Sequence, residues 1–269
     1  MAAPARTLVQ PTQPTQPAQP AQPSSRLQPG HHRVLPGAMV GQRTIPVHPA
    51  LDVIFPQGLI RGSSVVCRGD AAVSTAFLLA AAASQADAWV GVAGMPAFGA
   101  QACHEMGTAL QRVVVVRSAD ITGNTGDTSD SMWASVLGAL VDGFDIVVFG
   151  AARHVRAGTA RRIQARLQTR GGVLVLVGDA GSFSADAQVT TTATWQGLGD
   201  GDGYLRQRTV RVTVDGRRIP RPRHDQLAMP GSCGIVQSLS IARDLDVTSD
   251  LDETVPFASG SISMFRQTG

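Results

Sequence analysis

The residues with the clearest chemical pattern are Gly69-Asp70-Ala71-Ala72-Val73-Ser74-Thr75, set between an apolar run at Val65–Cys67 and an alanine-rich stretch. Strand, glycine turn and helix, in that order, are how phosphate-binding loops are built. The full pattern is G-x-x-x-x-G-K-[ST], with glycines for close backbone approach and a lysine that reaches the terminal phosphates. Here Val73 stands at the second glycine, Ser74 stands at the lysine, and the loop is one residue short. Gly69, Ser74 and Thr75 therefore form a degenerate phosphate loop without its cation. No lysine occurs anywhere in the 269 residues. Neither a catalytic residue nor a cofactor nor a metal is expected.

The second chemical feature is arginine. Arg153, Arg156, Arg161, Arg162, Arg166 and Arg170 fall in a stretch from Ala151 to Gly178 that contains no acid. On a helix, Ala160, Ile163 and Leu167 share an inward face, while Arg162, Arg166 and Arg170 form an outward i, i+4 stripe. Such a stripe can grip DNA phosphates or an acidic partner, or be an ordinary solvated face. A second run begins with Arg206 and Arg208, which share one face of a strand; exposed arginines there also protect a sheet edge. Asp200 and Asp202 lie in a glycine-rich turn that lacks the closing glutamate of a calcium loop. His104 beside Cys103 and Glu105 forms no cluster, since helical neighbours diverge. Trp133 reads as a core anchor, and Trp195 as a core anchor with partner contact as the alternative.

The elements that must position these residues follow from the apolar pattern. Val65–Cys67, Trp89–Ala93, Val113–Val116, Ile146–Phe149 and Val173–Val177 read as strands. Helices are expected over about 74–86, 97–110, 130–140 and 157–168. Continuous apolar strands alternating with helices predict an α/β fold with a parallel sheet covered on both faces. Polar–apolar alternation over Ala187–Trp195 and Leu205–Val214 predicts an appended antiparallel β-hairpin. Residues 1–44 carry a proline every third position in Pro11–Pro23 and read as a disordered polyproline segment. The domain is expected at 45–216, with a mostly disordered tail at 217–269 that holds five acids between Asp244 and Glu253. Charged residues are 16% and the net charge is +3, which permits a nucleic-acid partner without demanding one. Three cysteines without metal-like spacing, no membrane-length apolar run and no hydrophobic leader lead to the expectation of a cytoplasmic protein.

Gln57-Gly58-Leu59-Ile60-Arg61-Gly62 through Gly69 resembles the lead-in to the phosphate loop of the recombinase RecA, and a weaker similarity extends over about residues 55–215. The resemblance implies a RecA-like sheet. It places the catalytic glutamate position at Met95 and the strand-end magnesium acid at Gly150, and it leaves Asp145 before its strand, on the wrong end. The short Gly178–Ala185 segment stands where RecA carries a long DNA-binding loop. This erosion resembles the ImuA-type accessory proteins of the bacterial mutasome. That resemblance implies a non-catalytic scaffold in SOS-induced DNA repair and mutagenic translesion synthesis. Its partners would be an inactive Y-family polymerase homologue and, through it, an error-prone polymerase and the sliding clamp, with DNA a further candidate. Two other expectations stay open: a cell-division inhibitor of the SulA type, and a divergent ATPase in which Arg68 replaces the lysine.

Overall fold

A computed structural model of the chain describes residues 43–95, 98–116, 127–199, 202–231 and 234–240. The proline tract, Asp200 and the acidic tail segment lie outside these residues. A small antiparallel pair, β1 (Thr44–Ile45) and β2 (Leu59–Ile60), precedes the main sheet. Then come β3 (Ser64–Gly69), α1 (Ala72–Gln85), β4 (Val90–Ala93), α2 (Ala100–Glu105) and β5 (Val113–Val116). They are followed by α3 (Asp127–Gly143), β6 (Ile146–Phe149), α4 (Ala157–Arg170) and β7 (Val173–Val177). The chain then forms β8 (Ala187–Gly199), β9 (Asp202–Asp215), β10 (Arg223–Ala228) and β11 (Gln237–Ser238).

These strands make one nine-stranded sheet in the order β11-β10-β9-β8-β3-β7-β6-β4-β5. From β8 to β5 every pairing is parallel, and from β8 to β11 every pairing is antiparallel. The fold is thus mixed α/β with a mostly parallel sheet and an antiparallel extension. Continuous apolar strands bury both faces, and their alternate residues supply two cores. Val65, Cys67, Val92, Ile146 and Val175 pack with Phe77 and Leu79 of α1. Val66, Val147, Phe149 and Leu176 pack with Trp133 and Leu137 of α3 and with Ile163 and Leu167 of α4.

Helix α4 carries the expected amphipathic pattern and ends at Gly171, whose left-handed φ of 76° lets its N–H close on the Leu167 carbonyl. The helix expected over 97–110 is shorter. Gly107, at φ 89°, turns the chain out after one and a half turns, and a 3-10 turn at Leu110–Arg112 leads into β5. The sheet also runs past 216. Arg223–Ala228 pairs residue for residue with Thr209–Val214, because Leu227 and Ala228 supply buried apolar area that the sparse periodicity there concealed.

Candidate functional site

The degenerate loop folds as a tight turn. Strand β3 runs to Gly69 and helix α1 starts at Ala72, so only Asp70 and Ala71 lie between them. Parallel pairing of Gly69 with Thr191 brings β8 against this turn. The Thr191 carbonyl accepts the Asp70 N–H at 3.2 Å. Its hydroxyl accepts the Ala71 N–H at 3.0 Å and donates to the Arg68 carbonyl at 2.8 Å. The Asp70 carboxylate in turn accepts the Ala193 N–H at 3.1 Å. A phosphate loop spends such amides on its ligand; here both go to β8. Gly69 has φ 92°, and a Cβ there would lie 1.9 Å from the Thr191 oxygen. The glycine thus serves close approach of a strand.

Ser74, one turn into α1, accepts a hydrogen bond from Arg208 Nη2 at 2.9 Å. Arg208 Nε donates to the Met229 carbonyl at 2.9 Å, and the guanidinium lies 5.1 Å from the Trp195 ring centroid. Trp195 and Arg208 are cross-strand partners on β8 and β9. Burial pushes the Arg208 guanidinium below its ordinary value, and no carboxylate pairs with it among the described residues. Helix α1 has Ala71 at its N-cap, with no side-chain cap and no acid in its first turn. Arg208 therefore sits at the positive end of a helix dipole, held there by neutral acceptors and an aromatic face. Thr75 is fully buried, and its hydroxyl has no hydrogen-bond partner among the described residues.

The two positions that the RecA resemblance would assign to acids, Met95 and Gly150, are filled by packing. A Cβ on Gly150 would meet the Gly94 carbonyl oxygen and Met95 Sδ, each at 2.7 Å, and Met95 is buried. The loops after β4 and β6 touch there, and the Gly150 N–H donates to the Ala93 carbonyl at 3.1 Å. Asp145 sits at the opposite end of the sheet, as expected. It accepts the Trp89 N–H at 3.1 Å and pairs with Arg61 at 3.4 Å, fastening strand starts together. Arg68 points to Asp179 at 3.7 Å across an exposed surface.

The arginine helix is less bare than its own sequence implies, because α3 supplies the missing acids. Arg166 and Arg170 both pair with Asp142, Arg170 Nε at 3.1 Å. The Arg166 hydrogen bond, aided by Arg170, holds the Asp142 carboxyl below its ordinary range. Arg162 donates to Thr159 Oγ1 at 3.2 Å, and Thr159 donates to Asp130. The Arg156 N–H donates to Asp130 at 2.8 Å. Arg153 Nε lies 3.2 Å from His154 Nε2 on the exposed surface. Arg206 is exposed on β9, on the same face as Arg208 but beyond the core. The structure gathers Gly69, Ser74, Thr75 and Arg208 at one end of α1 and keeps the α4 arginines apart as a separate face.

Trp195 differs from expectation. It is 48% exposed rather than an anchor, because β8 and β9 run on past the last buried pair and carry it over the end of α1. Thr191 carried no signal in the sequence, being one threonine of Thr190-Thr191-Thr192. His104 and Glu105 are exposed while Cys103 is buried, so they form no cluster. No group of three metal-ligating side chains exists among the described residues. No helix among them is long and apolar enough to cross a membrane.

Residues 53–182 match the model of a family described as the MT3502 N-terminal domain. The match takes in the turn and the strands β3 to β7 and stops before the hairpin that supplies Thr191, Trp195 and Arg208. No curated protein matches the chain.

Proposed function

We propose that this chain is a non-catalytic, RecA-like scaffold acting in SOS-induced DNA repair and mutagenic translesion synthesis. It binds an inactive Y-family polymerase homologue, and through that partner it joins the error-prone polymerase and the sliding clamp. The observation that carries the reading is the closed turn. Its two amides are committed to Thr191, and Ser74 is committed to Arg208. Phosphoryl transfer depends on backbone and cation contacts to phosphate and on an acid that organises magnesium. A triphosphate would have to displace a strand, and packing leaves no room for a carboxylate at 150. A fold of this kind without that chemistry offers surfaces, which is what a scaffold needs. The match to the MT3502 N-terminal domain family is consistent with a mutasome-related protein and no more specific than that.

The test has two arms. Calorimetric titration with MgATP should give no binding heat, and the purified chain should show no turnover above background. Pull-down from damage-induced cells should recover the polymerase homologue. Magnesium-dependent turnover abolished by Thr75→Ala would instead establish a divergent ATPase. Filamentous cells on overexpression, without polymerase recovery, would point to a division inhibitor.

A further inference from the structure

Beside the first turn of α1 a half-buried cation stands without a counter-charge. Arg208 donates from Nε to the Met229 carbonyl and from Nη2 to Ser74, both neutral oxygens. The N–H groups on its Nη1 have no partner among the described residues. No acid occupies the first turn of α1, and Asp70, the acid of the turn before it, gives its carboxylate to the Ala193 N–H.

An apolar surface of fixed position adjoins this cation. Trp195 lies directly opposite Arg208 across β8 and β9, the guanidinium is 5.1 Å from its ring centroid, and the residue is 48% exposed. Opposite residues of an antiparallel pair share a face, so both project to the same side of the sheet. The ring and the two neutral acceptors hold the guanidinium in one orientation before any ligand arrives, which lowers the entropy lost on binding. Tryptophan and arginine are also the residue types that dominate binding hot spots. A carboxylate gains more from a partly desolvated arginine than from one fully in water, because less solvent screens the pair. Single-stranded nucleic acid fits less well. It stacks successive bases on several aromatics, whereas Trp195 is the only aromatic among the described side chains of β8 and β9.

We infer, resting on the scaffold reading, that Trp195 and Arg208 capture an acidic and apolar segment of the protein partner. An aspartate or glutamate carboxylate of that segment accepts from the free N–H groups of Arg208, and an adjoining apolar side chain covers Trp195. Arg166 and Arg170 on α4 take no part, being paired with Asp142.

Fluorescence anisotropy of a dye-labelled peptide, acetyl-Leu-Asp-Leu-Asp-Leu-amide, titrated with the full chain tests it against the asparagine version of the same peptide. The aspartate peptide should bind at least about tenfold more tightly, and added salt should weaken that peptide alone. Arg208→Gln should erase the preference. Trp195→Ala, at an exposed position, should weaken both peptides alike and leave their ratio unchanged. Equal affinity for the two peptides, or binding of neither, overturns the inference. A preference that survives Arg208→Gln places the anion elsewhere and overturns it too. An oligothymidylate that displaces the aspartate peptide and loses affinity in Trp195→Ala identifies a nucleic-acid surface and overturns it as well. Co-purification with the polymerase homologue separates this inference from the scaffold reading. Recovery undiminished in both variants overturns the inference and leaves the scaffold standing. No recovery by the wild type sinks the scaffold, and the peptides still decide what Arg208 binds.

Discussion

Replacing Gly69 with alanine tests whether β8 truly clamps the turn. The φ of 92° is a conformation that costs an L-residue about 1–3 kcal/mol. The added Cβ would lie 1.9 Å from the Thr191 carbonyl oxygen and 2.9 Å from its carbon. Both are backbone atoms of a paired strand, so neither can swing aside, and relief requires β8 to move. Overpacking of this kind costs about 1–3 kcal/mol more. The sum is roughly 4 kcal/mol, a large share of the stability of about 5–15 kcal/mol usual for a folded domain. With a urea slope of about 2 kcal/mol/M, the unfolding midpoint falls by about 2 M. Gly178→Ala is the control: its φ is 84°, but nothing lies within 4 Å of the new methyl. It should cost only about 1–3 kcal/mol, the backbone part alone. Urea denaturation followed by far-UV circular dichroism on both variants decides the matter. Equal midpoints for the two would show that Thr191 does not press on Gly69, and the closed turn would fall with that result.

Thr191→Val removes the hydroxyl that serves both Ala71 and Arg68 and should lower stability by about 2 kcal/mol, read in the same urea titration. Thr75→Val, by contrast, deletes a buried hydroxyl without a partner and should raise stability by about 1 kcal/mol; a loss would mean that the hydroxyl is satisfied after all. Asp142→Asn bears on pH. The carboxyl is held low by Arg166, so its stabilising contribution is present above the unfolded value of about 3.9 and lost as pH falls through the folded value. Variant and wild type should differ in thermal midpoint at neutral pH and converge in acid; a constant difference at all pH values would exclude the ion pair as the cause. Burial pushes the Cys67 thiol up to about 12 and Cys103 to about 11, so neither should react with a disulfide reagent at pH 8 until the chain is denatured.

The local sequence determined a good deal. Four-residue apolar runs such as Ile146–Phe149, with helical stretches between them, specified a parallel sheet buried on both faces, and the strands lie where the pattern placed them. The absence of a lysine could be read without any coordinates, as could Met95 and Gly150 at the positions that the RecA resemblance would give to acids. Tertiary structure decided what stands in their place. Thr191 and Arg208 reach the turn from a hairpin more than a hundred residues downstream, because β8 pairs in parallel with β3. Asp142 reaches Arg166 and Arg170 because α3 and α4 pack side by side on one face of the sheet. Trp195 is exposed because its strand outruns the core, although its neighbours alternate as a buried strand would. The physical reason is the same in each case. Periodicity reports which face of an element meets apolar surroundings, whereas the partner that face meets depends on strand order and strand length relative to the core. Those are settled by how whole layers fit together.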